Sequence, residues 1–182
     1  MKDPEPRSPV SFVANVARLP QKGLPVVVEA DERQRAALAA EYDLLSVERY
    51  RAELLVASWK RNGVKVTGRV EADITQACIV TLEPVTAHID EPVEALFLPE
   101  QSKLGREGFE GGGEIILDAD GPDSPETFSG DSIDVGALAE QFFGLAIDPY
   151  PRKQGASLDV AGDEQPEESE FQKKLRSLLG KS

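Results

Sequence analysis

The dipeptide Asn62-Gly63 constrains this chain more than any other feature, because of what flanks it. Before it runs RYRAELLVASWKR and after it VKVTGRVEADITQ. Asn-Gly supplies the positive φ angles that a tight β-hairpin turn needs. Beyond the turn, Val64, Val66, Val70, Ala72 and Ile74 fall on one face and Lys65, Thr67, Arg69, Glu71, Asp73 and Thr75 on the other. A side-chain period of two with one apolar face predicts a half-buried antiparallel strand. Gly68 stands on the apolar face, which predicts a bulge or strong bend there.

The rest of the chain is organised around that hairpin. Residues 10–18 and 24–30 predict two earlier strands, the second carrying Val26-Val27-Val28, stiff β-branched residues suited to a pleated sheet. Asp31 is a helix cap for DERQRAALAAEYD, an alanine-rich helix over 31–42. ACIVTLEPV and TAHIDEPVEALFLP predict further strands, with Pro84 and Pro92 imposing breaks or edge positions. Residues 99–131, rich in Gly and acid, predict a mobile loop in which EIIL is a short strand. Asp134 caps a second helix, whose stripe is Val135, Leu138, Phe142 and Leu145, widened by Ala139, Phe143 and Ala146. Pro149 ends it. Residues 157–170 hold Asp159, Asp163, Glu164, Glu167, Glu168 and Glu170 with no base, the composition of a disordered linker. Phe171, Leu175 and Leu178 then share one face of a short terminal helix, marginal in water unless it docks.

Composition excludes several functions. The formal net charge is −13, which repels phosphate at long range and suits a basic protein partner better than nonspecific RNA or DNA. A single cysteine, Cys78, excludes an intrachain disulfide and a multi-thiolate zinc site. The N-terminal MKDPEPRSPV has no apolar h-region, and no apolar run approaches the roughly 18 residues of a membrane span, so a cytoplasmic protein is expected. A Cys-dependent enzyme would have to use Cys78 with the one histidine, His88, and no third orienting group can be assigned. Cys78 between Ala77 and Ile79 reads as a small core residue, and His88 as a surface or edge residue. The segment GREGFEGGG lacks the lysine of a phosphate loop. No catalytic residue, metal site or cofactor is expected.

One basic patch stands out. From Arg49 to Val70 the chain carries Arg49, Arg51, Lys60, Arg61, Lys65 and Arg69 against Glu53 alone, a local balance of +5, with Tyr50 and Trp59 interleaved. A twisted hairpin with cations and an aromatic can hold RNA backbone and stack a base, so Arg49, Arg51, Trp59, Lys60, Arg61, Lys65 and Arg69 are candidate RNA-binding residues. The alternative is a solvated sheet face with Trp59 packed inward.

Three segments together carry a family resemblance: ADITQACIVTLEPV (72–85), SIDVGALAEQFFGLAIDPYPRKQGA (132–156) and SEFQKKLRSLLGK (169–181). In this order and spacing they resemble the YceD family, the large-ribosomal-RNA accumulation proteins of bacteria, and among these the alphaproteobacterial members. The resemblance runs from about residue 10 to the end. Many relatives carry further cysteines that are missing here. It implies a role in making or preserving large-subunit ribosomal RNA, with no catalytic residue to carry over.

The expectation is therefore an α+β domain over 9–153, between a disordered 1–8 and a flexible acidic C-terminal tail over 154–182. Its core would be a twisted antiparallel sheet of five to seven strands, open or partly closed into a barrel, with two packed helices. The expected function is non-enzymatic, through a ribosomal or ribosome-assembly protein or precursor large-subunit rRNA. Candidate partner-binding residues are Tyr150, Arg152 and Lys153 with Phe171, Leu175 and Leu178. Tyr150 is expected to pack the exit from the second helix against the sheet while Arg152 and Lys153 face out.

Overall fold

The computed structural model describes residues 8–60, 62–100 and 125–155. Strands β1 (Val13–Asn15) and β2 (Leu24–Glu29) lead into helix α1 (Glu32–Glu41), followed by β3 (Ser46–Trp59), β4 (Gly63–Ala77) and β5 (Pro84–Pro99). Short strands β6 (Glu126–Phe128) and β7 (Ser132–Asp134) precede helix α2 (Val135–Ala146). The main sheet has the order β2-β3-β4-β5-β6, and β1 pairs with β7 in a separate ribbon. All pairs are antiparallel except β5–β6. The fold is α+β. The sheet is open, with β2 and β6 at its edges, and does not close into a barrel.

The hairpin forms, but its turn is not Asn-Gly itself: Trp59 pairs with Gly63, so residues 60–62 connect the strands, with positive φ at Lys60 (41) and Asn62 (61) and not at Gly63. Strands β3 and β4 pair from Trp59↔Gly63 to Ser46↔Thr75 but for one shift between Val47 and Arg49. Val64, Val66, Val70, Ala72 and Ile74 are all buried. Gly68 does not mark the bulge, because Leu54↔Gly68 is in register. A Cβ there would lie 2.0 Å from the Glu53 carbonyl oxygen, so glycine permits a close approach of the two backbones.

Other expectations are revised. The strand expected over 10–18 shrinks to three residues paired with β7. ACIVTLEPV is no strand: β4 ends at Ala77, and a turn with Leu82 at φ 59 carries the chain into β5. Strand β5 begins at Pro84 and runs through Pro92 without a break. This is possible because β5 is paired only with β4 at Pro92, its contact with β6 being confined to Phe97–Pro99. The expected EIIL strand lies outside the described residues.

Both helices start at their predicted caps. Asp31 accepts from Gln34 N–H at 2.8 Å, and Gln34 Oε1 accepts from Asp31 N–H at 2.9 Å, a reciprocal box. Asp134 caps α2 through Ala137 N–H at 2.9 Å, and also accepts from Phe12 N–H at 2.9 Å, tying β1 to the helix start. Helix α2 covers the inner face of the sheet with Val135, Leu138, Ala139 and Phe143; Phe143 is fully buried edge-on to Tyr42 and Tyr50. The buried stripe is centred one position away from the expected one, and Leu145 faces solvent at 84% exposure.

The core also holds polar groups. Glu140 is 5% exposed, and burial raises its pKa, with Glu41 adding in the same direction against hydrogen bonds from Ser8 and Tyr42. Burial and the Glu140 charge push Tyr42 up to about 12. The Tyr50 hydroxyl, within the core, has no hydrogen-bond partner among the described residues.

Candidate functional site

The described site candidates fall on two different surfaces of the sheet. The hairpin residues lie on the outer face and at the β3–β4 tip. The residues following α2 lie where β3 begins and β4 ends.

On the outer face the register decides the electrostatics. Arg49 pairs with Glu71 at 3.2 Å, Lys65 with Glu94 at 2.6 Å, and Arg69 with Asp90 at 2.9 Å. Arg51 is held between Glu29 on β2 and Glu53 on its own strand. Each of these four cations therefore faces a carboxylate, most of them contributed by a neighbouring strand. His88 belongs to the same face, its Nδ1 at 2.6 Å from Asp73. At the tip Trp59 is half-buried, with Lys60 Nζ 4.5 Å from its ring centroid. Beside it opens a cavity of about 490 Å³ whose lining includes Arg18, Ser58, Lys60 and Asp131. Arg61 lies outside the described residues.

At the other end residues 147–155 form a strap across the Cys78 turn. Cys78 N–H donates to the Glu83 carbonyl at 2.8 Å, and Leu82 N–H to the Cys78 carbonyl at 2.9 Å. Gln76 Nε2 donates to the Asp148 carbonyl at 2.9 Å, and Ile79 N–H to the Pro151 carbonyl at 3.0 Å. Lys153 closes the strap twice: its N–H donates to Cys78 Sγ at 3.4 Å, and its ammonium meets Glu83 at 3.0 Å. Lys153 correspondingly holds Glu83 below the usual carboxylate range.

The strap is sealed by Pro151, which is buried. Tyr150 does not pack against the sheet as expected; it is 69% exposed. The N–H of Tyr150 donates to Asp148 Oδ1 at 2.9 Å, a local side-chain turn. Arg152 and Lys153 are exposed.

Cys78 is fully buried beneath this strap. The Lys153 N–H, followed by the Thr81 hydroxyl and N–H and the Val80 N–H, lowers its pKa to about 6 against the opposing effect of burial. These donors stabilise a thiolate, but none is a base that could cycle a proton, and His88 is engaged with Asp73 on the outer face. Among the described residues no cluster of three or more His, Cys, Asp or Glu is placed to hold a metal ion. The thiolate cradle was invisible in sequence, where Cys78 read only as a small core residue. Phe171, Leu175 and Leu178 lie outside the described residues.

No helix among the described residues is long and apolar enough to cross a membrane. No curated protein and no solved structure matches the chain. One family model does: YceD, large ribosomal RNA subunit accumulation protein, over residues 66–177. The match takes in most of β4, all of β5 to α2, the strap and the start of the terminal segment, a narrower span than the resemblance from residue 10. Of the seven hairpin candidates only Arg69 falls inside it, whereas Tyr150, Arg152 and Lys153 all do. The YceD family is not known as an enzyme family. With more than half of its length matched, the chain belongs to the YceD family of large ribosomal RNA subunit accumulation proteins, and has a role in accumulating that RNA.

Proposed function

We propose that this protein is a non-enzymatic, cytoplasmic factor that supports large-subunit rRNA accumulation by docking a basic ribosomal or ribosome-assembly protein. Tyr150, Arg152 and Lys153 on the strap, with Phe171, Leu175 and Leu178 beyond it, form the contact. The observation that carries this reading is the strap itself. It presents an exposed aromatic on a backbone pinned to the Cys78 turn, within the family-matched part of the chain. Pre-organised aromatics of this kind serve as anchors in protein interfaces because little side-chain entropy is lost on binding. The six acids of residues 157–170, between the strap and the terminal segment, favour a basic partner.

The test is capture from growing cells with the tagged full-length protein at two salt concentrations, identifying proteins and RNA together. Recovery of a basic large-subunit or assembly protein, weakened by Tyr150→Ala, is the expected outcome. Recovery of neither ribosomal protein nor ribosomal RNA refutes the reading.

A second reading is direct binding of precursor rRNA through the hairpin. The Lys60–Trp59 stack beside an open cavity favours it, since a cation over an indole is a ready platform for a base. Its signature is affinity that falls steeply with salt and is lost on reversing Arg51, Arg61 and Arg69 to Glu. The carboxylates already facing Arg49, Arg51, Lys65 and Arg69 weigh against it, because RNA phosphates would have to displace them.

A further inference from the structure

The strap end of the molecule exposes more apolar surface than its local sequence suggests. Leu45, Ile79, Leu82, Leu145 and Tyr150 are 44–84% exposed. They come from four segments gathered there: Leu45 N–H bonds to Thr75 at the end of β4, Ile79 and Leu82 belong to the Cys78 turn, and Leu145 and Tyr150 flank the start of the strap. Leu45 also lines an open groove of about 450 Å³ whose floor includes Ala36, Ala39, Ala40 and Val47. Among the described residues, the nearby carboxylates Glu41, Asp43, Glu48 and Asp148 form no ion pair. A grouped apolar surface rimmed by charge is the usual mark of a docking site.

The chain itself carries a complementary segment. From Phe171 to Ser182 there are Lys173, Lys174, Arg176 and Lys181 and no acid, a charge of +4; since the whole chain is −13, the other residues carry −17. Phe171, Leu175 and Leu178 recur at helical spacing within this basic stretch. Gly155, the last described residue, lies just past the strap, and fifteen residues separate it from Phe171. Such a connection can reach up to about 50 Å, more than enough to return to the same end. A tethered segment acts at an effective concentration on the order of millimolar, so even a weak contact is populated. The family match also crosses the acidic linker and enters this segment.

We propose that the basic segment around Phe171, Leu175 and Leu178 docks in cis, as a short helix, on the apolar strap end near Leu45, Leu82 and Tyr150. A three-turn helix is marginal alone in water, so slow amide exchange within it requires docking.

The test is hydrogen exchange on the isolated full-length chain, which needs no partner; its failure is therefore separable from failure of the ribosomal reading. The expected result is exchange at Leu175–Leu179 slowed at least about tenfold relative to a free helix-forming peptide, and independent of protein concentration. Leu45→Asp with Leu82→Asp should abolish the slowing, with β4 amides reporting that the domain is intact. Both side chains are exposed, and Leu82 has φ 59, which Asp tolerates better than Leu. Leu178→Asp, which leaves the domain sequence unchanged, should remove the slowing and speed exchange at Ile79 and Leu82. Fast exchange in the parent chain, slowing that survives the Leu45 and Leu82 changes, or slowing that grows with concentration (a second copy) each overturns the proposal.

Discussion

The outer face of the hairpin and the strap end make opposite use of their residues. The hairpin places cations opposite acids from adjacent strands, so a stretch that is basic along the chain is nearly neutral in space. The strap end satisfies its backbone through Ile79, Pro151 and Lys153, and leaves apolar side chains in water. A local charge count therefore overstates the positive charge of the hairpin. The strap end assembles an exposed apolar surface from several segments. Polar groups paired within the fold must lose those partners before they bind anything else, whereas exposed apolar groups gain on burial.

The largest effect should come from the close approach within the hairpin. Gly68→Ala places a Cβ 2.0 Å from the Glu53 carbonyl oxygen, and is expected to cost about 3 kcal/mol or more, read from urea unfolding. A loss below about 0.5 kcal/mol would show that the two backbones can separate cheaply there.

Cys78 is expected to contribute to stability in a pH-dependent way. The folded pKa is about 6, below the ordinary thiol value of 9.0, so between these the folded chain binds fewer protons than the unfolded one. Its contribution is absent below about pH 6, grows as pH rises, and is complete above about 9. The stability gap between the parent chain and Cys78→Ala should widen across that window in chemical denaturation at several pH values. Complementation of a deletion strain by the same variant separates a structural thiol from a catalytic one: loss of function in a folded protein would favour the enzyme.

A smaller gain is expected from the core under α2. Burial raises the Glu140 pKa, so its ionisation opposes folding: the protonated form favours the fold at low pH, and this advantage is lost as pH rises through the raised value. Glu140→Gln should stabilise the protein at pH 8 by about 1 kcal/mol and have little effect at pH 4. Equal effects at both pH values would assign the role of Glu140 to its hydrogen bonds.

The smallest effect belongs to the outer face. Lys65→Ala and Arg69→Ala remove exposed ion pairs and should change thermal stability by less than about 0.5 kcal/mol each. If they also leave RNA affinity unchanged, the contrast between the two regions stands; a steep loss of affinity would reinstate the hairpin.

Much of the scaffold was legible in the chain. The valine alternation of β4 and the caps Asp31 and Asp134 act over a few residues and appear where the local pattern puts them, whereas the hairpin turn falls on 60–62 and leaves Gly63 paired in β4. Of the two alternatives for Pro84 and Pro92, a break or an edge position, the structure takes the second: Pro84 opens β5, and at Pro92 the strand is paired only with β4. Leu145 misled because helical spacing defines a stripe but not the angle at which the helix meets its sheet.

By itself, then, the sequence determined the hairpin, the starts of both helices, the acidic balance and the family motifs, all properties of neighbouring residues. Tertiary structure decided which carboxylates meet Arg51, Lys65 and Arg69, that Pro151 and not Tyr150 is buried, and that Lys153 reaches Cys78 across 75 residues. Those contacts join segments far apart in the chain. Strand order and register set their distances, and no local pattern carries that information.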